Sequence, residues 1–446
     1  MKRKVISFVL LLAIFLFSCG CESAKRDLES SVEDETLRQS ITIELVTLMG
    51  SSYNRMNERI QQFAKEHPGI EVNVRWSNNA SSEFSQWILG MKGSGTTPDI
   101  VELTPNQMYN MFHHGKIEPL AIPDDAQRDL VISSPEGYAL GVKSKINPLI
   151  VYYNKDTFRS LQLEPPSGDW DWDQLDKTIV TLKEAGHNVY MMLTPFLLEW
   201  VTWNRYGGQI IDASGTQFSG YLDSEEAVQA SEWLAWVESR LTDYKDRLTF
   251  TNNPIQQPMP YDLLEGNMAL AVDYAFEVSS DTDNFEEIMQ RNDQIGIAPL
   301  PGGIDTMNPA QMAGLSILSH SPNKDVAMKL IRYLMDDSED PFEEIVLYTM
   351  QSSQGIGRQV EWIGPDRRLI VQHEMKRSKP ATLYMSETQL RWRNDLLFFR
   401  LSEILDGTPA RDVLEQYAQR LDLTYELFRD DPDAYGQYVR TDRAFW

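Results

Sequence analysis

The spacing of apolar residues changes repeatedly along the chain, and each change marks an element. Ile41 to Leu48 is a β-branched, apolar run that predicts a buried strand. Met56, Ile60, Phe63 and Ala64 then repeat at helical spacing, and His67, Pro68 and Gly69 stop the helix. Ile70, Val72, Val74 and Trp76 alternate, giving a second strand. A helical stretch around Phe84 to Met91 follows, then a Gly/Ser/Thr turn, then a third strand from Pro98 to Leu103. This strand–helix–strand order predicts an α/β fold with a parallel sheet. Ligands of such sheets bind beyond the carboxyl ends of the strands, here residues 49–54, 77–81 and 102–106.

Further along, Leu149 to Tyr153 reads as a strand leading into a short helix that ends at Leu161. Leu163 to Pro166 break the pattern. Asp171 and Gln174 have the spacing of a capping box, in which the two side chains satisfy each other's free backbone N–H groups. Trp172, Leu175, Ile179 and Leu182 give that helix one apolar face, and Gly186 ends it. A second helix starts at Asp223 or Ser224, with Ala227, Ala230, Leu234, Val237 and Leu241 facing inward. Ile295 to Ala298 and Leu315 to Leu318 read as strands around a Pro/Gly loop. Asn323 caps a helix through Ala327, Leu330, Ile331 and Leu334. Near the end, Thr408 and Pro409 form a cap and first turn for a helix carrying Leu414, Tyr417 and Leu421.

The N-terminus does not fit this pattern. Lys2, Arg3 and Lys4 precede an apolar run from Val5 to Ser18, which is too short to span a bilayer comfortably and matches a secretory leader. The run ends Leu16, Phe17, Ser18, Cys19, resembling a bacterial lipobox in which the cysteine thiol is acylated after cleavage. Cys19 is the expected lipid site and Cys21 the alternative. These are the only cysteines, so neither a disulfide nor a thiolate metal site is expected in the folded part. Residues 22–40 are polar and charged and read as a tether, about 25 Å from end to end as a coil. The remaining length suits two domains. Net charge is −25, from 41 basic and 66 acidic residues, which argues against a nucleic-acid partner.

Five blocks in order resemble the bacterial extracellular solute-binding proteins of family 1, the group that includes maltose-binding protein. They are PDIVELTPNQMYNMFHHGKIEPL (98–120), LIVYYNKDTFRSLQLEPPSGDWDWDQL (149–175), RYGGQIIDASGTQFSGYLDSEEAVQASEWL (205–234), LLEGNMALAVDYAF (263–276), and the stretch from IGIAPLPGG to KLIRYLM (295–335). The resemblance implies a periplasmic-binding-protein-like type II fold, two α/β lobes with a hinge and a cleft between them. Chain crossings are expected near 145–149, 313–318 and 352–358. The expected division is a leader 1–18, a lipidated tether 19–40, an N-terminal lobe of 41–147 plus 315–355, and a C-terminal lobe of 148–314 plus 356–446. It further implies a monomer, lipid-anchored on the outer face of the cytoplasmic membrane, that passes a mono- or oligosaccharide to the permease subunits of an ABC importer. The alternative is a sensor or adhesion lipoprotein of the same fold without a transport role.

A sugar offers an apolar C–H face and a ring of hydroxyls, so its site needs flat aromatic rings flanked by fixed polar groups. Phe196, Trp200 and Trp203 fall at i, i+4 and i+7, on one helical face. Asp273, Tyr274 and Phe276 stand where the family has an aromatic-rich turn. Glu102 and Thr104 follow the third strand, and Ser52 and Tyr53 the first, where hydroxyl partners are expected. No G-x-S-x-G elbow occurs, and His373–Glu374 does not continue as H-E-x-x-H. The glycines at 90, 93 and 95 form no phosphate loop. No enzyme and no cofactor is therefore expected.

Overall fold

The computed structural model describes residues 40–48, 54–77, 97–122, 128–134, 136–168, 170–191, 196–213, 215–240, 261–275, 290–303, 306–336, 358–379 and 401–430. The leader, the tether with Cys19 and Cys21, the helix expected over Phe84–Met91, and Leu241 lie outside them.

Strand β1 (Ile41–Leu48) pairs in parallel with β2 (Ile70–Ser77), and helix α1 (Asn54–Glu66) connects them. β3 (Ile100–Leu103) joins the other side of β1 in parallel. Helix α2 (Pro105–His113) follows, then β4 (Ile117–Glu118), β5 (Val131–Ser133) and β6 (Ala139–Asn147). With β12 (Gln311–Leu318), which runs antiparallel to both β3 and β6, these strands make a seven-stranded sheet. Along its central strands successive residues enter opposite cores, as a two-residue side-chain period requires. Ile43, Leu45, Ile100 and Ile317 pack with Met56, Ile60 and Phe63 of α1 and with Ala327, Leu330, Ile331 and Leu334. Val46, Val101 and Leu318 pack with Met108 and Met111 of α2.

Pro148 alone separates β6 from β7 (Leu149–Asn154), which belongs to a second sheet. Asn154 ends that strand and caps α3 (Lys155–Ser160), its Oδ1 accepting from Thr157 N–H at 2.8 Å. The capping box of α4 (Trp172–Glu184) forms as the spacing predicts, with both Asp171–Gln174 bonds at 2.8 Å. β8 (Asn188–Met191), α5 (Phe196–Tyr206) and α6 (Glu225–Glu238) follow, the last capped by Ser224. Then come α7 (Tyr261–Leu264), β9 (Met268–Tyr274), β10 (Ile295–Ala298) and the short β11 (Asn308–Pro309). The four-stranded sheet has the order β10-β7-β9-β8. After β12 come α8 (Lys324–Asp336), α9 (Arg358–Lys376), β13 (Ser378–Lys379), α10 (Leu401–Leu405) and α11 (Ala410–Asp430).

One face of the smaller sheet packs on α4, α5, α6 and α11 through Leu175, Trp200, Leu234 and Leu414. The other meets α7 and α9 through Leu263, Val371 and Met375. That second core also takes in Ile146 and Met312 from the larger sheet, so apolar packing is continuous across the junction of the two α/β lobes. Among the described residues no helix is long and apolar enough to cross a membrane.

Family blocks turn out to carry the scaffold. Asp99 is buried, and its carboxylate accepts from Glu44 N–H at 2.9 Å, from Ser321 Oγ and from Asn323 Nδ2 at 3.3 Å, tying β1 and β3 to the start of α8. The side chain of Asn323 is thus spent on Asp99 and the Thr42 carbonyl, while its own carbonyl accepts from Ala327 N–H in the first helical turn. The Pro/Gly loop is held by Trp170, whose Nε1 donates to the Pro299 carbonyl at 2.8 Å and whose carbonyl accepts from Gly302 N–H. Gly302 has φ +112, a conformation side chains rarely adopt.

Candidate functional site

Polar side chains concentrate where the two sheets meet. Asn308, fully buried on β11, imitates a strand partner for the first residue of β7. Its Nδ2 donates to the Leu149 carbonyl at 2.7 Å, and its Oδ1 accepts from Leu149 N–H at 3.0 Å. The same Nδ2 donates to Glu374, a fully buried carboxylate paired with Arg377 at 2.8 Å. Arg377 in turn donates to the carbonyls of Leu300, at 3.0 Å, and Gly303, at 2.7 Å. One residue before Asn308, Met307 exchanges two bonds with the Asn204 side chain, at 2.6 and 2.8 Å. These clasps fix the end of α5, the Pro/Gly loop and α9 around the point where the chain crosses between sheets.

Trp203 precedes Asn204 and remains 39% exposed. Lys379 of β13 places its Nζ over that ring, 5.7 Å from the centroid. On the larger sheet, β6 carries Lys143 and Lys145. The β6–β12 register slips between Ala313 and Gly314, whose partners are Lys145 and Lys143, leaving Ser144 as the extra residue of a bulge. As a result Ser144 Oγ donates to the Glu102 carboxylate while Lys145 pairs with its other oxygen at 3.4 Å. Burial lowers the Lys145 pKa, and Glu102 opposes that shift. Burial pushes the Lys143 ammonium down to about 8; Asp129 pulls it back up and the charge of Lys379 pushes it further down.

The residues singled out from sequence do not all gather there. Trp203 does. Trp200 is fully buried in the core of the smaller sheet, its ring 4.7 Å from that of Trp172, because the apolar face of α5 turns inward. Glu102 is fully buried and occupied by Ser144 and Lys145. Thr104 is the N-cap of α2, in a capping box with Gln107. Asp273 and Tyr274 do not lie in a turn: they end β9, a wholly buried strand paired on both sides. Its run Met268-Ala-Leu-Ala-Val272 has no polar alternation, the signature of a strand covered on both faces. Ser52, Tyr53 and Phe276 lie outside the described residues, as does the side chain of Phe196, the first residue of α5. Sequence reasoning missed Lys143, Lys145, Asn308 and Lys379. Two lysines in a strand otherwise reading Ala-Leu-Gly-Val were the available signal for the first two. Among the described residues no three of His, Cys, Asp or Glu gather to hold a metal ion.

The chain matches the model of the bacterial extracellular solute-binding protein family over residues 49–340. Two maltooligosaccharide ABC transporter solute-binding lipoproteins, from two Streptococcus pneumoniae strains, align at 22% and 21% identity over 159 residues. That alignment covers 35% of this chain and 36% of each relative. Among solved structures, the sugar-binding protein MalE of Xanthomonas citri superposes with a TM-score of 0.68 at 16% identity, covering 87% of this chain and 98% of that one. A cyclic α-maltosyl-1,6-maltose binding protein of Arthrobacter globiformis gives 0.61 at 16% identity, with 85% and 98% covered. The GacH receptor of Streptomyces glaucescens, solved unliganded and with acarbose, gives 0.59 at 17% identity, with 88% and 99% covered. At such identities the structural likeness establishes the fold.

Proposed function

The chain belongs to the bacterial extracellular solute-binding protein family, and from that premise we propose that it captures a carbohydrate between its lobes and delivers it to an ABC importer. The observation that carries the carbohydrate reading is Trp203, an exposed tryptophan set at the junction where the chain crosses between sheets. A flat ring there suits the C–H face of a pyranose. The named ligands of relatives and structural neighbours, maltooligosaccharides and acarbose among them, support the same reading.

In this proposal Trp203 is the platform, and Phe196, Ser52, Tyr53 and Phe276 are its companions by position. Glu102, Thr104, Trp200, Asp273 and Tyr274 serve behind it, holding strands and helix ends. One lobe comprises 41–147 plus 315–355 and the other 148–314 plus 356–446, and the pairing of β12 with β6 from Gln311 onward supports a crossing in that stretch. Ligand contacts made by both lobes at once favour the closed form. The protein is a monomer anchored outside the cytoplasmic membrane through Cys19, or Cys21, with residues 22–40 as tether, and permease subunits are its partners.

The test is a thermal-shift screen of the purified protein against neutral and charged mono- and oligosaccharides, followed by small-angle scattering with any hit. A hit that raises the melting temperature and compacts the particle is expected. A screen without a single shift would remove the carbohydrate assignment.

A further inference from the structure

The last turn of α5 is gripped by the β11–β13 pair, each strand holding one of two consecutive residues. Met307, at the start of β11, takes Asn204, whose side chain accepts from the Met307 N–H at 2.8 Å and donates to its carbonyl at 2.6 Å. β13 takes the residue before, Lys379 placing its ammonium 5.7 Å from the centre of the Trp203 ring, within cation–π range. The strands are joined at Asn308–Ser378 and Pro309–Lys379. Two residues a side make little sheet by themselves, yet this pair is firmly rooted. Asn308 N–H donates to the Arg377 carbonyl at 3.2 Å, its side chain holds both backbone groups of Leu149, and Ser378 Oγ donates to the Glu374 carbonyl at 2.7 Å. Helix α5 is closed behind the indole as well, the Thr202 and Trp203 carbonyls accepting from Gly208 and Gly207 N–H at 3.0 and 3.1 Å. An exposed side chain left to itself exchanges rotamers, and one that must be immobilised on binding lowers affinity.

We propose that Asn204 and Lys379 are positioning residues that preset the Trp203 ring for the solute. This deepens the carbohydrate reading above and rests on it. Asn204 fixes the backbone from which the indole projects, and the Lys379 cation holds the ring's orientation through its attraction to the π-cloud. Neither needs to touch the sugar. Because Met307 and Asn308 are consecutive, the same bracket ties the platform to Leu149, the first residue of β7 after the crossing at Pro148. Closure then brings the other lobe to a ring already oriented, and the ordering that a free side chain would undergo on binding is complete beforehand.

Fluorine NMR of the full-length protein labelled with 5-fluorotryptophan tests the restraint directly. The chain has 11 tryptophans, and Trp203→Phe identifies the line that belongs to this ring. In Lys379→Met and in Asn204→Ala that line should broaden or split as a second orientation becomes populated, and Lys379→Arg should keep it narrow, since a guanidinium also stacks on an indole. Isothermal titration with maltotriose, cellotriose and xylotriose then reads the consequence. The saccharide that binds wild type should bind Lys379→Met and Asn204→Ala about two- to tenfold more weakly, the scale of immobilising one side chain, and Lys379→Arg should recover it. Lys379 is exposed, so its variants keep the test intact even where Asn204→Ala folds poorly. A Trp203 line as narrow in both variants as in wild type, or an affinity unchanged where the line broadens, would overturn the bracket and leave carbohydrate capture standing. Wild type binding none of the saccharides would overturn both.

Discussion

Replacing Asn308 by Ala isolates the clasp at the crossing between sheets. The substitution removes the partner of Leu149 N–H, the partner of the Leu149 carbonyl and a donor to Glu374. Asn308, Leu149 and Glu374 are all fully buried, so water cannot readily replace what is lost. An orphaned buried polar group costs about 1–3 kcal/mol, which puts Asn308→Ala at roughly 3–5 kcal/mol. Asn204 makes the same two-bond clasp on Met307 but is only partly buried, so solvent can compensate and Asn204→Ala should cost roughly 1–2 kcal/mol. Urea unfolding gives the totals. A two-lobed protein need not unfold in one step, so hydrogen exchange at the Leu149 amide is the direct readout, and it should accelerate in Asn308→Ala well before global unfolding. Asn308→Asp keeps an acceptor for Leu149 N–H but sets a carboxylate against Glu374. It should be worse than Ala at neutral pH and recover in acid. Equal costs for the two alanine variants, or less than about 1 kcal/mol for Asn308→Ala, would refute the reasoning that burial makes this side chain a surrogate strand.

Lys143→Met should stabilise the protein at neutral pH by up to about 3 kcal/mol, the cost of holding an ammonium whose pKa is depressed to about 8. The folded value lies below the unfolded one, so between them the unfolded chain binds more protons. Wild-type stability should therefore rise relative to the variant from about pH 8 to about pH 10.5, and a flat difference in paired urea titrations would exclude the buried charge. Trp200→Ala should cost roughly 3–5 kcal/mol of stability, as a core cavity does, while Trp203→Ala should spare stability and lower ligand affinity. Asp171→Ala should cost about 1 kcal/mol by removing the cap of α4, measured by thermal melting. Labelling cells with a radioactive fatty acid should fail for Cys19→Ser; persistent label would move the lipid to Cys21.

Local order was open to reading because it depends on neighbours in sequence. The alternation Ile70, Val72, Val74 made β2, and the Asp171–Gln174 spacing made a capping box, since both follow from backbone geometry over a few residues. Blocks shared with the family were legible too, and the structure gives several of them a mechanical role. Asp99 binds β1, β3 and the turn into α8, and Asn154 caps α3 while reaching the Leu263 carbonyl. Such residues report the scaffold and say little about the guest. The spacing of Phe196, Trp200 and Trp203 defined a helical face, yet the fold sends Trp200 into the core and leaves Trp203 at the surface. Periodicity marks which residues share a side, not where along a curved junction that side leaves the protein.

The sequence by itself determined the elements, their order, the α/β class and the family, all of which are written in short-range patterns and composition. Tertiary structure alone decided which charges meet. Glu102 lies 42 positions before Ser144, and Leu149 lies 159 before Asn308, so no local period links either pair. They are brought together by chain crossings and by a one-residue bulge at Ser144, which gives the Glu102 carboxylate to both Ser144 and Lys145. Electrostatic partnership depends on distance through space, and only the packed chain sets that distance.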